Sequence, residues 1–299
     1  MRSRVLIGLM ALTACTLARN PIARAQGADW KPVEAAMGRA SVEQPGNVHR
    51  FNFPRGDMHV TVDGVELKPA FALGGWIAMT GTPGNVMAMG DLVLTGEEVT
   101  PVITRLQAGG VEQTAIHHHV IRENPHVYYV HVNAHGDAVK IAETIRAALA
   151  LTKVPAPSTA VAATGDPGID TAAVAKALGF SGRMTGGVYQ VTVPRSEVLH
   201  EGTMEIPAIM GLMTAINFQP TGSGNAAITG DFVLLASEVN PVIRVLREQG
   251  IEAVSLHSHL LNDDPRLYFM HFWANADAPT LARGLRAALA KTNSKRPGA

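Results

Sequence analysis

Several features that often reveal a protein's function are missing from this 299-residue sequence or rare in it. A single cysteine cannot form an internal disulfide, and there is no C-x-x-C pair for a zinc ribbon or redox centre. The 25 basic residues are balanced by 25 acidic ones, which disfavours binding to nucleic acid or to an anionic membrane surface. Aromatic residues make up only 5%, so a surface that stacks bases or sugars is not expected.

The common catalytic and nucleotide-binding motifs are also missing. The sequence has no P-loop, Rossmann fingerprint, nucleophile elbow or H-E-x-x-H motif. No apolar stretch long enough to span a bilayer follows the N-terminal region, so the sequence predicts no membrane-spanning helix there.

The N-terminal segment has the pattern of an export signal. Two arginines precede an apolar run over residues 5–17, which is the length of a signal-peptide core. The A-x-A site at 23–25 predicts a signal peptide over residues 1–25 and a soluble product, the favoured alternative. The stretch LTAC ending at Cys15 instead resembles a lipobox, which predicts removal of residues 1–14 and a lipid anchor on Cys15 as the only membrane contact. Both alternatives predict an exported protein of the periplasm or cell envelope.

The rest of the chain repeats itself. Residues 90–152 align with residues 230–292 without a gap. Such a long period does not fit a solenoid and indicates two homologous domains. We expect a first repeat over 28–152, a linker over 153–169, a second repeat over 170–292 and a tail over 293–299.

The hydrophobic periodicity predicts an α+β fold for each repeat. Apolar residues at helical spacing predict helices over 97–108 and 237–249, each followed by a glycine that ends it. Alternating patterns predict strands over residues 49–53, 71–79 and 86–94, and over 189–193, 209–218 and 226–234. A hairpin and a last amphipathic helix follow, giving an antiparallel sheet with helices on one face, which is compatible with a ferredoxin-like βαββα core.

Histidines fall at equivalent places on this hairpin in both repeats. They form one H-x-H and one further histidine per repeat: His117, His119 and His131, then His257, His259 and His271. Alternate residues of a strand point to one face, so the rings of each H-x-H share a face. Pairing His117 opposite His131, with the turn centred at Asn124, adds the third ring. The opposite face, with Leu256, is apolar and is expected to pack under the helices.

Three neutral imidazoles on one face can bind a divalent transition metal, zinc being favoured. The alternatives are histidines that are merely hydrogen-bonded in a polar domain interface, and two equivalent half-sites that meet on a pseudo-two-fold axis. Apart from such a metal, no cofactor is expected.

Two glutamates are the candidate catalytic bases. Glu98 follows Thr95 at T-x-x-E spacing, a capping-box pattern that favours a structural role. Glu238 has Leu235 at the corresponding place, which leaves a chemical role open.

Two further pairs recur in both repeats. Arg55 and Arg195 follow a strand and are interpreted either as solvated charge pairs or as anion-binding residues at the edge of a site. Asp91 and Asp231 follow a glycine within a strand, where they mark a bulge or line a polar cleft.

These stretches resemble a known family. GDLVLTGEEVTPVI and GDFVLLASEVNPVI, the H-x-H stretches and the Pro-Arg pairs at 54–55 and 194–195 are similar to the LppY/LpqO family of exported bacterial proteins, whose named mycobacterial members are lipoproteins. The resemblance supports export and covers nearly all of the mature chain. It implies no activity and therefore no catalytic residues.

The sequence thus predicts an exported protein that binds a divalent metal or small ligand at its histidine hairpins. One alternative is a metal-dependent hydrolase, in which Glu98 or Glu238 activates a metal-bound water. The other is an envelope interaction module without a ligand. The interaction partner in the leading prediction is a metal or small molecule, and nucleic acid is excluded.

Overall fold

The structure, a computed structural model, describes residues 29–157 and 168–295. The expected signal peptide with Cys15, most of the expected linker and the end of the expected tail lie outside these residues. Within the two described ranges, no helix is long and apolar enough to cross a bilayer.

The described part of the first repeat contains three helices and eight strands. In chain order they are α1 (Lys31–Met37), β1 (Val42–Gln44), β2 (Val48–Pro54), β3 (Thr61–Val62), β4 (Val65–Glu66), β5 (Gly74–Thr82), β6 (Asn85–Thr95), α2 (Gly96–Ala108), β7 (Glu112–His117), β8 (Val127–Gly136) and α3 (Ala138–Leu149).

The second repeat has the same helices and nearly the same strands. They are α4 (Thr171–Leu178), β9 (Arg183–Thr185), β10 (Val188–Val193), β11 (His200–Glu201), β12 (Met204–Glu205), β13 (Thr214–Gly222), β14 (Asn225–Leu235), α5 (Ala236–Glu248), β15 (Glu252–His257), β16 (Asp263–Asp264), β17 (Leu267–Asp277) and α6 (Ala278–Leu289).

Each repeat is built on a six-stranded antiparallel sheet, which confirms the α+β prediction. The strand orders are β1-β2-β5-β6-β8-β7 and β9-β10-β13-β14-β17-β15. Because β8 pairs antiparallel with both β6 and β7, the unit β6-α2-β7-β8-α3 is a split βαβ followed by a helix, the arrangement expected of a βαββα core. The strand predicted from residue 71 begins only at Gly74, since Phe71 and Leu73 donate their N–H groups to Lys68 and Pro69 in a turn.

The helices of each repeat cover one face of its sheet. In the first repeat Val102 and Leu106 of α2 and Ile145 of α3 are buried against strand residues such as Leu92 and Val130. A matching cluster lies under α4, α5 and α6. Because strand residues alternate between faces, this core uses only every second residue of β6 and β8.

The other faces of the two sheets pack toward each other, and each repeat sends a loop onto its neighbour. Asn217 in β13 donates to the Phe71 carbonyl at 3.1 Å, and the ring of Phe71 meets Trp273 edge-on at 6.2 Å. In the reverse direction, Asn133 in β8 donates to Glu201 at 2.9 Å. The uncovered sheet face therefore becomes the domain interface.

The register of the histidine hairpin differs from the expected one. His117 lies opposite Tyr129, and His131 lies opposite Ala115, because the turn of the hairpin is centred at Glu123, one residue before the expected Asn124. Both histidines still share a face, since the displacement is an even number of residues. Leu256 was expected under the helices but is 48% exposed, because β15 is an edge strand at the limit of helix cover.

Candidate metal centre

The interface between the two sheets contains a cluster of histidines and aspartates that we call the histidine centre. Its members are His117, His119, His131, His257, His259, His271, Asp91 and Asp231. Every member from the first repeat has a counterpart at the equivalent position of the second. The structure thus brings all six predicted histidines into one cluster and adds two carboxylates to it.

Contacts between the repeats are as close as contacts within them. The rings of His117 and His257 stack with centroids 3.7 Å apart. The His119 ring lies 3.9 Å from that of His271, whereas it lies 5.0 Å from that of His117 in its own repeat. The two hairpins therefore build a shared centre, in agreement with the alternative of half-sites meeting on a pseudo-two-fold axis.

The two aspartates enter the centre through the strand register. Asp91 in β6 lies opposite His131 in β8, so both side chains point to the interface. Asp91 Oδ2 lies 3.1 Å from His119 Nε2, and Asp231 Oδ2 lies 3.0 Å from His259 Nε2. The expected alternative of a bulge at Asp91 is wrong, since the pairing there is regular.

Backbone carbonyls fix the protonation of one histidine in each repeat. His131 Nδ1 donates to the Gly90 carbonyl at 3.1 Å, and His271 Nδ1 donates to the Gly230 carbonyl at 2.6 Å. A neutral imidazole with its proton on Nδ1 presents a free lone pair on Nε2. A backbone acceptor on the second ring nitrogen is the usual support of a metal-binding histidine.

The distances between the donor atoms suit a small metal ion. His117 Nε2 and His271 Nε2 lie 3.3 Å apart. Two ligands on a tetrahedral ion at about 2.0–2.1 Å are separated by about 3.3–3.4 Å. Four sets of three donors have all their ligand atoms within 4.8 Å of one another: His117, His131 and His257; His117, His119 and His271; Asp91, His119 and His131; and Asp231, His257 and His259.

The centre is buried, and many of its polar atoms are unpaired. His131 and His271 are each 2% exposed, and Asp91 is 3% exposed. Among the residues that the structure describes, His131 Nε2, Asp91 Oδ1 and both ring nitrogens of His257 have no hydrogen-bond partner. Buried polar groups are normally paired, so such a concentration of free lone pairs requires an explanation.

Burial also shifts the pKa values of the centre's groups in the direction that favours their neutral forms. It lowers the pKa of His259 and of His271 to about 3, with repulsion from His119 as a further cause for His271. Burial raises the pKa of Asp91 and of Asp231 to about 6. Neutral imidazoles are the form that binds metals, so at neutral pH the rings need not lose a proton first.

One ring in each repeat is packed against an aromatic side chain. His119 stacks on Tyr129 with centroids 3.4 Å apart, and His259 stacks on Phe269 at the same distance. These stacks hold the second histidine of each H-x-H in place although it lies beyond the end of its strand.

The candidate catalytic glutamates are held in buried ion pairs with arginines. Glu98 receives two hydrogen bonds from the Arg55 guanidinium, at 2.7 and 3.1 Å, and one from the Thr95 N–H at 2.9 Å. Burial alone would raise its pKa, but the bonds from Arg55 and the backbone outweigh burial and lower it. Within the described ranges, Glu98 belongs to none of the metal-capable sets. The structure places Glu98 as an ion-pair partner at the start of α2, and its role as a catalytic base stays a prediction.

The second repeat repeats this arrangement. Glu238 pairs with Arg195 at 2.7 Å and accepts from the Leu235 N–H at 2.8 Å, although residue 235 has no capping side chain. Arg55 and Arg195 are 1% and 3% exposed and donate to Asp57 and Glu197 as well. Arg55 and Arg195 therefore fit neither expected alternative, the solvated charge pair or the anion-binding arginine, because their N–H groups donate to acceptors inside the protein.

The aspartates were expected to mark a bulge or line a polar cleft, and the sequence reasoning did not place them among the metal ligands. The signal was present: a Gly-Asp pair recurs at 90–91 and 230–231 inside strands that are otherwise apolar. A charged residue in a strand buried on both faces needs a partner, and the register supplies histidine.

A family model matches both repeats. It is described as Domain of Unknown Function (DUF1259), and it matches residues 31–151 and again residues 172–291. The expected assignment to the LppY/LpqO family is therefore wrong, because the family model that matches the chain is the one described as DUF1259. No curated protein matches the chain.

Two solved structures are similar over most of their length but at low scores. A trimeric bacterial microcompartment shell protein, PduB, is 11% identical and covers 87% of this chain and 96% of its own, with a TM-score of 0.22. EtuB from Clostridium kluyveri is 10% identical and covers 84% of this chain and 90% of its own, with a TM-score of 0.20. These scores are too low to support an argument from either protein.

Proposed function

This chain belongs to the family described as Domain of Unknown Function (DUF1259), and we propose that it is an exported protein that binds a divalent transition metal at the histidine centre. The two homologous repeats supply matching halves of the binding site. The N-terminal signal pattern supports the location in the periplasm or cell envelope.

The observation that carries the proposal is the pair of imidazole nitrogens 3.3 Å apart in a buried site whose other donors are unpaired. His271 holds its proton on Nδ1 for the Gly230 carbonyl, so its Nε2 presents a lone pair to His117 Nε2. A metal ion between them uses both lone pairs at an ordinary bond length. It also offsets the cost of burying donors that lack hydrogen bonds.

The donor set favours zinc among the divalent ions. Imidazole nitrogens with carboxylate oxygens suit zinc, copper, nickel and iron, and they suit magnesium and calcium poorly. Zinc has no geometric preference of its own and accepts the four-coordinate mixtures of nitrogen and oxygen that this centre offers.

The two alternatives from the sequence are less well supported. A hydrolase needs a base next to a metal-bound water, and Glu98 and Glu238 are held in ion pairs by arginines. A ligand-free interface module leaves the buried lone pairs of the centre unexplained.

The test is metal analysis of protein purified without a histidine tag. We expect elemental analysis to find a transition metal, and we expect zinc to raise the melting temperature of chelator-treated protein, because binding to the folded state alone stabilises it. Protein that contains no metal and gains no stability from zinc, copper or nickel would overturn the proposal.

A matched pair of variants separates the centre from ordinary surface histidines. His117→Ala removes a buried member of the centre, whereas His59→Ala removes a ring whose side chain is 84% exposed. We expect the first variant to lose much of the stabilisation by zinc and the second to keep it.

A further inference from the structure

We propose that the histidine centre holds two metal ions per chain and that each ion takes ligands from both repeats. This inference rests on the proposed function, since it assigns the number of ions and their ligands within the same centre. Eight donor side chains are present, and a zinc ion in a protein usually takes four.

The donors divide into two groups of four that the alignment of the repeats makes equivalent. The first ion would be bound by His117, His119 and Asp91 with His271 from the second repeat. The second ion would be bound by His257, His259 and Asp231 with His131 from the first repeat.

Contacts support the first group. His117, His119 and His271 have their ligand atoms within 4.8 Å of one another, and His271 is the donor at 3.3 Å from His117. Asp91 Oδ2 lies 3.1 Å from His119 Nε2, yet that nitrogen forms no hydrogen bond with any described residue. Two potential ligand atoms at this distance, with no hydrogen bond between them, suit neighbouring ligands of one ion.

The second group has the same features. Asp231, His257 and His259 form a compact set, with Asp231 Oδ2 3.0 Å from His259 Nε2. The His131 ring crosses from the first repeat to lie 3.9 Å from the His259 ring. Its Nδ1 is bonded to the Gly90 carbonyl, as that of His271 is bonded to Gly230, so the crossing histidine is supported in the same way in both groups.

A single ion would leave half of the buried ligand side chains of the centre without a partner. An ion bound by the first group leaves His131, His257, His259 and Asp231 buried with free lone pairs, and the reverse holds for the second group. Two ions use all eight donors and place one carboxylate beside each doubly charged ion, which reduces the repulsion between them.

The first experiment counts zinc ions bound by the untagged full-length chain after chelator treatment and reloading. We expect two ions per chain. A chain that binds one ion overturns this inference and leaves the proposed function intact, whereas a chain that binds none overturns both.

Paired substitutions then test which ligands act together. We expect His271→Gln to bind one ion and His271→Gln with His117→Gln also to bind one, because both ligands belong to the same ion. We expect His271→Gln with His257→Gln to bind none, because these ligands belong to different ions.

Sites formed within single repeats give the opposite result. In that arrangement His271 and His257 serve one ion, so their double variant keeps one ion and the His271–His117 variant keeps none. Glutamine retains a polar side chain of similar size, and circular dichroism of each variant checks that it is folded. His59→Gln serves as the control and should keep both ions.

Discussion

Gly90 and Gly230 occupy positions where a neighbouring strand leaves no room for a side chain. A Cβ atom on Gly90 would overlap the Trp76 carbonyl oxygen, and one on Gly230 would overlap the Ala215 carbonyl oxygen. The same glycines present the carbonyls that orient His131 and His271. One residue type thus serves both strand packing and the orientation of a ligand.

This close approach predicts the effect of Gly230→Ala. The added methyl group must push the two strands apart, and we expect a loss of about 1–3 kcal/mol in the free energy of unfolding. Because the shift also moves the acceptor of His271, zinc binding should weaken in the same variant. Urea unfolding and zinc titration measure the two effects.

Gly84→Ala is the control for this substitution. Gly84 lies in the β5–β6 turn, where an added Cβ would have no atom of the described chain within 4 Å. We expect its stability and zinc affinity to match those of the unchanged protein. An equal loss in both variants would contradict the role assigned to Gly230.

At the scale of single residues, the sequence predicted which histidines form the site but not which of them lie next to one another. Alternation along a strand and recurrence in both repeats were enough to place His117 and His119 on one face. Which rings meet across the interface depends on how two separate sheets dock, and no local pattern records that. Asp91 was assigned to a bulge or a polar cleft and not to the metal ligands for a similar reason, since its partner His131 lies on another strand, beyond α2 and β7 in the chain.

The start of α2 is tied to the end of β2 by a buried ion pair. Arg55 follows β2 and is 1% exposed, and Glu98 lies in the first turn of α2. Glu98 also accepts from the Lys153 N–H at 3.2 Å, which joins the chain after α3 to the same carboxylate. Three elements of the repeat therefore meet at one side chain.

We expect Glu98→Gln to destabilise the protein strongly without changing its metal content. Among the described residues, the substitution leaves the Arg55 charge with Asp57 as its carboxylate partner, and removing one member of a buried pair costs up to about 3–5 kcal/mol. Chemical denaturation and elemental analysis are the measurements. Loss of bound metal in a folded Glu98→Gln variant would instead return this residue to the candidate site.

Glu98 also shows which contacts of a helix can be predicted from local sequence patterns. The T-x-x-E spacing predicted a capping box at Thr95, and the structure confirms the half in which Glu98 accepts from the Thr95 N–H, whereas the Thr95 side chain makes no cap hydrogen bond. The arginine partner was not predicted, because Arg55 lies far earlier in the chain and reaches α2 only after the sheet has formed. The hairpin register was wrong for a local reason: the turn is centred at Glu123, one residue earlier than expected, and the polar and apolar alternation does not fix that position.

At the scale of the whole molecule, the buried histidines make stability depend on pH. Burial lowers the pKa of His259 and His271 to about 3 and lowers the pKa of the other four rings of the centre as well. The unfolded rings titrate near 6.5, so between these values the unfolded chain binds more protons than the folded one. Acid therefore favours unfolding in this range.

The two carboxyls act in the opposite direction. Burial raises the pKa of Asp91 and Asp231 to about 6 from 3.8, so the folded chain holds protons there that the unfolded chain has lost. Six rings outnumber two carboxyls, and each net proton changes stability by about 1.4 kcal/mol per pH unit. The histidines therefore determine the sign.

We expect the melting temperature of the metal-free protein to fall as the pH is lowered from 7 to 5. Calorimetry at several pH values measures it, with the His59→Ala variant as a control that should show the same slope. A melting temperature that is constant or rises on acidification would contradict the burial of neutral imidazoles.

The stacking neighbours of the two H-x-H pairs differ between the repeats. Tyr129, beneath His119, carries a phenol hydroxyl that no other described residue hydrogen-bonds, whereas Phe269, beneath His259, has only ring carbons. A ligand bound near His119 would therefore have a phenol oxygen beside it, whereas one bound near His259 would have only ring carbons. The two halves of the centre differ in polarity although their ligand residues are the same.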